Sequence, residues 1–307
     1  MSLLDRVREA NVHDPAHFIP LDVAGRRVGR VKHDFAARLA CFPEVFRVEN
    51  ERVRLAAALD RETTPPAERT EAVNEVLIAL REAGLIRGWR GEMYPVNRRW
   101  GERALLALER AAIPFFGVRG YGVHMNGYVR RADGLHMWVA RRSRSKPTGP
   151  GKLDQVVAGG QPEGLGLREN MIKECAEEAG IARALAEGVR PVGAITYTLE
   201  TPEGFRPDMI FNFDLELPAD FTPVNTDGEV ESFHLWPMSK VIETVRDSDE
   251  FKFNCALVVI DFLIRHGFVG ADDPDYAEIV EGLMSRPDAS PRAFAGDVRV
   301  RESSSGR

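Results

Sequence analysis

The spacing of apolar residues predicts mixed helices and strands along the chain. In its first part, the segment 68–86 has apolar residues three and four positions apart, as is typical of a helix, and Gly84 provides a C-cap. The segment 93–117 is predicted to form a strand, a turn and a helix that ends at Pro114. Residues 1–118 are therefore expected to form an accessory domain of mixed α/β structure.

The second part of the chain begins with a β-hairpin. VHMNGYVRR alternates apolar and polar residues, and LHMWVARRS forms a second strand after the turn ADG. Further strands lie on both sides of the turn PEG, and NCALVVIDFLIRHGFV is an amphipathic helix closed by Gly267. This pattern predicts an α+β fold in which residues 119–285 form one domain, followed by a polar tail over 286–307.

Composition and charge exclude several classes of function. The net charge of −6 offers no basic field, so no nucleic-acid partner is expected. The three cysteines are scattered, which argues against a disulfide framework or a structural zinc site. The N-terminal segment lacks the apolar core of a signal peptide, and the apolar run 255–264 is too short to span a bilayer. We therefore expect a cytoplasmic protein with no membrane partner.

The segment 159–181, GGQPEGLGLRENMIKECAEEAGI, combines a glycine-rich loop with a helix that has one acidic side. Glu174, Glu177 and Glu178 fall within one arc of that helix, opposite an apolar face that contains Cys175 as a core residue rather than a nucleophile. Like charges this close destabilise a helix by roughly a few tenths of a kcal/mol per pair, and bound cations remove that repulsion. The segment therefore favours a divalent metal site, with a solvated acidic face as the alternative.

The same segment, called the box below, resembles the Nudix signature: a Gly, five residues, a Glu, seven residues, then Arg-Glu-apolar-any-Glu-Glu-any-Gly-apolar. Gly159 and Gly180 match its glycines, while Leu165 replaces the first Glu and Lys173 replaces the Arg. With LELPADFTPVNTDGEVESF and VVIDFLIRHGF, the chain is similar to the Nudix subfamily that is fused to thiamin pyrophosphokinase in some fungi, where both replacements are usual. The resemblance implies a Nudix α/β/α sandwich with a mixed sheet.

The resemblance also implies the chemistry of the site. The family's metal ligands correspond to Glu174, Glu177 and Glu178, which would hold Mg²⁺ or Mn²⁺. Nudix enzymes take their general base either from the box or from a later loop. The residues expected to take part in catalysis are Glu177, Glu178, Glu229 and Lys173, with Glu231 as a second candidate for the base and Glu203 and Asp208 as weaker ones.

Contacts to the substrate are expected from a basic cluster before the box and from the glycines at its start, where backbone can approach an anionic ligand closely. The residues predicted to bind the diphosphate are Arg142, Arg144, Lys152, Gly159 and Gly160, and the basic cluster also holds Arg141 and Lys146. Nearby aromatic residues either stack on a ring of the ligand or belong to the core: Tyr197, Phe205, Phe211 and Phe213.

The residue chemistry supports hydrolysis of an organic diphosphate to the monophosphate, and the resemblance points to thiamin diphosphate analogues, notably oxidised or damaged forms. Two alternatives stay open: hydrolysis of a nucleoside diphosphate or nucleotide sugar, and a non-catalytic Nudix-fold sensor of a metabolite. The expected partner is a small-molecule organic diphosphate. Three roles stay open for residues 1–117: shaping a specificity pocket, forming a homodimer, or covering the Nudix sheet.

Overall fold

The structure is a computed structural model that describes residues 2–146 and 148–285, so the predicted tail over 286–307 lies outside the described residues. The helices are α1 (Leu3–Glu9), α2 (His33–Leu39), α3 (Pro66–Glu82), α4 (Ile113–Phe116), α5 (Leu167–Ala179), α6 (Arg183–Ala186), α7 (Met238–Asp247), α8 (Phe253–Arg265) and α9 (Tyr276–Gly282). The strands are β1 (Phe18–Val23), β2 (Arg26–Lys32), β3 (Phe46–Glu49), β4 (Arg52–Leu55), β5 (Met93–Val96), β6 (Leu106–Glu109), β7 (Tyr121–Arg131), β8 (Gly134–Arg142), β9 (Leu153–Gln155), β10 (Val157–Gly160), β11 (Arg190–Thr196), β12 (Leu199–Glu200), β13 (Phe205–Arg206), β14 (Met209–Glu216) and β15 (Val230–Pro237). Short 3₁₀ helices cover Pro15–His17 and Arg110–Ala112.

The N-terminal unit is built on a four-stranded sheet in the order β2–β1–β4–β3, in which β1 and β4 run parallel. The hairpin of β3 and β4 turns at Asn50 and Glu51, whose φ angles of 51° and 54° suit the twist of an antiparallel pair. Helix α3 packs Val73 and Leu77 into the core of this unit, which confirms the helix predicted there.

The segment 93–117 differs from its sequence prediction. The residues predicted as a helix after the turn form strand β6, which pairs antiparallel with β5 and buries all four of its side chains. Pro114 lies in the first turn of α4, where its missing N–H is not needed, rather than at the end of a helix. Helix propensity is a weak force, so strand pairing and burial of Leu106 and Leu108 in the core decide the outcome.

The C-terminal unit is built on a mixed seven-stranded sheet. Its main path runs β11–β14–β7–β8–β15, with β10 paired to β7 and β9 paired to β8. Strands β7 and β14 run parallel, whereas the other pairs are antiparallel. The hairpin predicted at the start of this unit is confirmed as β7 and β8.

Helices cover both faces of this sheet. On one face, α5 packs Met171 and Cys175 against Met125 of β7. On the other face, α7 and α8 belong to a second apolar cluster that includes Tyr128 of β7 and Met137 of β8. Two helical layers around one mixed sheet confirm the predicted α+β fold, an α/β/α sandwich beside a mixed α/β unit.

Helix α1 packs away from the elements that follow it in sequence. Leu3, Leu4 and Val7 lie in the apolar cluster of α7 and α8, and α1 also contacts α9. The first helix therefore completes a helical layer of the C-terminal unit. The predicted boundary between residues 118 and 119 stays a prediction.

The hairpin of β5 and β6 joins the two units at the start of the box. The carbonyl oxygen of Met93 accepts a hydrogen bond from the amide of Glu163 (3.0 Å). The side chain of Asn97 accepts one from the hydroxyl of Tyr121 (2.8 Å). The N-terminal unit is thereby attached to the chain that leads into α5.

Candidate active site

Helix α5 has the acidic side predicted from the sequence. The helix follows Gly166 and ends at Gly180, whose left-handed φ of 63° lets the chain turn while its amide donates to the carbonyl of Cys175. The thiol of Cys175 is buried against Met125 and Met171. Burial raises the pKa of this thiol to about 12, and the prediction that Cys175 belongs to the core is confirmed.

Glu178 is a partly buried carboxylate beside strand β10. One of its oxygens accepts a hydrogen bond from the amide of Ala158 (2.7 Å). Burial raises the pKa of Glu178, and the charges of Asp154 and Glu174 raise it further, whereas the Ala158 amide and Lys146 oppose the shift. Keeping this carboxylate charged therefore requires positive charge nearby.

The turn before β15 brings two more carboxylates to Glu178. One oxygen from each of Glu178, Asp227 and Glu229, called the acid cluster below, lies within 4.8 Å of the other two. The structure thus brings Glu229, a predicted candidate for the base, to the box. Asp227 is not among the residues predicted from the sequence. The feature of the sequence that could have indicated it is its position two residues before Glu229 in TDGEVE.

Lys146 and Arg90 supply positive charge to the acid cluster. The ammonium group of Lys146 pairs with Glu229, and the guanidinium of Arg90, from the N-terminal unit, lies 3.5 Å from the same carboxylate. Burial lowers the pKa of Lys146, and neighbouring arginines lower it further, whereas Glu178 raises it. Lys146 belongs to the predicted basic cluster, but the sequence does not show which member of that cluster turns toward the box.

Glu174 and Glu177 share a contact with Lys173. Its ammonium nitrogen lies 3.4 Å from an oxygen of Glu174 and 2.5 Å from an oxygen of Glu177. The Glu177 side chain is 50% exposed and that of Glu174 15% exposed, and burial raises the pKa of Glu174. Lys173 forms its ion pairs with glutamates of the box. Its charge is therefore compensated without an acidic residue at position 165, where this chain has Leu165.

The two glycines at the start of the box are required by close packing. A Cβ built on Gly159 would lie 2.4 Å from the carboxyl carbon of Glu174, and one built on Gly160 would lie 1.3 Å from the hydroxyl oxygen of Tyr94. That hydroxyl is buried with no hydrogen-bond partner in residues 2–146 and 148–285, and burial raises its pKa. Strand β10 therefore approaches both side chains through backbone alone.

The other basic residues predicted to bind substrate have contacts of their own. Arg142 pairs with the buried Asp154 at 2.5 Å, and Lys152 pairs with Asp249 at 3.0 Å. The side chain of Arg144 is 87% exposed. Among the described residues, none of these three cations forms an ion pair with the acid cluster, so their role in substrate binding stays a prediction.

The remaining candidates for the base do not join the acid cluster. Glu231 is half-exposed on β15, and Glu203 is exposed in the turn between β12 and β13. Asp208 is buried and accepts two hydrogen bonds from Arg206. Of the glutamates considered outside the box, Glu229 is the one that lies beside it.

A second group of potential ligands is compensated from within the protein. His124, Asp154 and Cys255 are buried with their ligand atoms close together. The thiol of Cys255 donates to Asp154 (2.8 Å), which also pairs with Arg142. Burial lowers the pKa of His124 to about 4. Burial would raise the pKa of Asp154, but the nearby charges of Lys252 and Arg142 outweigh it and lower that pKa. The positive charges of Arg142 and Lys252 already compensate this group, so we interpret it as structural.

The acid cluster, in contrast, fits a divalent cation. Its three carboxylates converge, and burial together with the charges of Asp154 and Glu174 raises the pKa of Glu178. Hard divalent cations take carboxylate oxygens as ligands and leave positions open for water and phosphate. Glu178, Asp227 and Glu229 are therefore suited to hold such an ion, with Glu174 on the same side of α5.

Comparisons with known proteins give the following matches. Residues 2–120 match the family described as a domain of unknown function (DUF4743). Two Arabidopsis thaliana proteins, named Nudix hydrolase 20, chloroplastic and Nudix hydrolase 24, chloroplastic, are 43% and 42% identical over 88% and 87% of this chain and 73% of each relative. A solved MutT/nudix family protein from Enterococcus faecalis matches 54% of this chain and 69% of its own at 13% identity, with a TM-score of 0.40.

Both Arabidopsis proteins are named chloroplastic, so the cytoplasmic location expected from the sequence stays a prediction. In the part of the chain that the structure describes, every helix is too short or too polar to cross a membrane.

Gly159→Ala should weaken binding of Mn²⁺ by about tenfold or more, because the added methyl group has to displace the carboxylate of Glu174. Gly166→Ala is the matched control, since nothing lies within 4 Å of a Cβ there and its φ of −71° suits alanine. Calorimetric titration measures both affinities, and circular dichroism checks folding. Wild-type affinity in the Gly159 variant would show that the position of Glu174 does not matter for metal binding.

Proposed function

The chain belongs to the Nudix hydrolase family, and on that premise we propose that it hydrolyses thiamin diphosphate analogues, notably oxidised or damaged forms, to the monophosphate. Membership makes the chain a pyrophosphohydrolase of a family that generally uses a divalent metal ion. The observation that carries hydrolysis of an organic diphosphate is the convergence of Glu178, Asp227 and Glu229 within 4.8 Å, with Lys146 paired to Glu229.

We assign the metal to the box glutamates together with Asp227 of the acid cluster. The residues that would hold Mg²⁺ or Mn²⁺ are Glu174, Glu177, Glu178 and Asp227. A bound ion would supply positive charge to the diphosphate and would lower the pKa of a water molecule. Glu178 is fixed for this role by the amide of Ala158, whereas Glu177 lies on the solvent side of α5 beside Lys173.

Glu229 is the residue we assign as general base. Its carboxylate lies at the acid cluster, where it pairs with Lys146 and Arg90. It accepts the proton of the attacking water, which forms a bond to a phosphorus of the diphosphate while the bond from that phosphorus to the bridging oxygen breaks. The products are an organic monophosphate and inorganic phosphate.

Lys146 and Arg90 are the cations that we assign to the phosphates of the substrate. Lys146 lies on the loop between β8 and β9 and pairs with Glu229 in the structure. Once the acid cluster has another counter-ion, this ammonium group can exchange the carboxylate for a phosphate oxygen. Gly159 and Gly160, which the sequence predicts to bind the phosphates, are packed against Glu174 and Tyr94, so their contact with substrate stays a prediction.

The thiamin-type substrate is supported by the resemblance of the box and its flanking segments to one Nudix subfamily. The acid cluster and the cations around it support the wider class of organic diphosphates. Nucleoside diphosphates and nucleotide sugars present the same diphosphate group, so they are the substrates against which the proposal has to be tested.

With Mg²⁺, the protein should release phosphate from thiamin diphosphate and its oxidised analogues with a higher kcat/KM than from ADP, an oxidised purine nucleoside diphosphate or a nucleotide sugar. Phosphate and monophosphate release are measured for each compound. Glu178→Gln should lower the rate by at least ~10²-fold while the protein stays folded. A higher kcat/KM on a nucleotide would show that the substrate is a nucleotide and not a thiamin diphosphate analogue. The absence of turnover of every compound would reject hydrolysis.

Glu229→Gln should lower kcat by about 10²-fold or more, because an amide keeps the shape of the side chain but accepts no proton from water. Glu231→Gln is the matched control, since Glu231 lies two residues along the chain, is half-exposed and faces Arg144. The two variants are compared by steady-state kinetics on the substrate turned over fastest. Equal kcat values would show that the base lies within the box.

A further inference from the structure

Trp100 lies exposed in the loop between β5 and β6, in the N-terminal unit. The residue is 40% exposed, whereas the other tryptophans of the chain, Trp89, Trp138 and Trp236, are buried or half-buried. Transfer of a large aromatic ring out of water is favourable. An exposed indole therefore offers apolar surface that a ligand can cover.

Trp100 is held in place by rings of the C-terminal unit. Its ring centroid lies 4.8 Å from that of Tyr121, at the start of β7, and 4.8 Å from that of Phe211 on β14. The Tyr121 hydroxyl also donates to Asn97 at the start of the same loop (2.8 Å). Trp100, Tyr121 and Phe211 thus form one aromatic patch to which both units contribute.

This aromatic patch borders the box. The carbonyl of Tyr121 accepts a hydrogen bond from the amide of Gln161 (2.9 Å). Phe211 and Gly159 both lie opposite Val123, one on each side of strand β7. Two strand spacings separate them, roughly 10 Å. A ligand whose phosphates lie at the box can therefore extend an organic group onto the patch.

We propose that Trp100 and Phe211 bind the ring of the substrate, so that the N-terminal unit selects organic diphosphates that carry a planar aromatic group. The inference rests on the proposed function of the box. Stacking uses the exposed surface of Trp100 together with the half-buried Phe211, while Tyr121 and Asn97 fix the loop. Specificity for the ring then comes from Trp100 of the N-terminal unit together with Phe211 of the C-terminal unit, and not from the residues that act on the diphosphate.

A purely structural role for Trp100 predicts a different outcome. If the indole only attached the loop to the sheet, its removal would affect every diphosphate equally. Removal of a ring-binding residue instead acts on substrates that have a ring. The comparison therefore needs two substrates with the same reacting group: thiamin diphosphate, which has aromatic rings, and methyl diphosphate, which has none.

Trp100→Ala should lower the ratio of kcat/KM for thiamin diphosphate to kcat/KM for methyl diphosphate by about tenfold or more, chiefly through KM. Trp100→Phe keeps a ring and should retain most of the ratio. Phe268→Ala is the matched control, because it removes a ring that is 41% exposed just beyond α8, away from the box, and should leave the ratio unchanged. An unchanged ratio in Trp100→Ala, or an equal loss on both substrates, would overturn the proposal.

Tryptophan fluorescence provides a readout that needs no hydrolysis. Thiamin monophosphate and AMP carry a ring but no diphosphate, and at least one should quench the fluorescence of wild type and Phe268→Ala but not of Trp100→Phe. Such quenching without turnover of any diphosphate would keep the ring site and reject hydrolysis. Turnover with no quenching that depends on Trp100 would keep hydrolysis and reject the ring site.

Discussion

The constraint on which the site depends is the charge of Glu178, a carboxylate partly removed from water beside other acids. Burial and the charges of Asp154 and Glu174 favour its protonated form, and the amide of Ala158 and Lys146 oppose them only in part. A carboxylate in that state binds a divalent cation strongly once it is deprotonated, because the ion replaces the solvation that burial removed. A divalent ion held as proposed would remove the repulsion among the acids of α5.

The fold brings the groups of the site together from parts of the chain that are far apart in sequence. Helix α5 provides the box glutamates, the turn before β15 provides Asp227 and Glu229, and the loop after β8 provides Lys146. The pairing of β15 with β8 places the last two segments side by side, since Ser143 donates its amide to the carbonyl of Glu229. The N-terminal unit adds Arg90, which lies beside Glu229, and the loop of Trp100, which packs against Tyr121 and Phe211.

Sequence patterns predict the parts of this structure that depend on local chemistry. The acidic side of α5, its end at Gly180 and the hairpin of β7 and β8 follow from spacing and turn residues alone. Strand β6 does not, because its Ala and Leu residues favour a helix until pairing with β5 buries them. The position of a loop side chain also depends on the folded structure. The sequence predicts Lys152 as a substrate-binding residue, but in the folded loop Lys146 is the lysine that pairs with Glu229.

The most direct test of the site is to locate the metal itself. Crystals of the protein grown with Mn²⁺ are measured at a wavelength where manganese scatters anomalously. An anomalous peak in contact with the carboxylate of Glu178, and lost in crystals of Glu178→Gln, is the result expected from the acid cluster. A peak at His124, Asp154 and Cys255 instead, or none at Glu178 in crystals that bind Mn²⁺ elsewhere, would contradict the assignment of the box as the metal site.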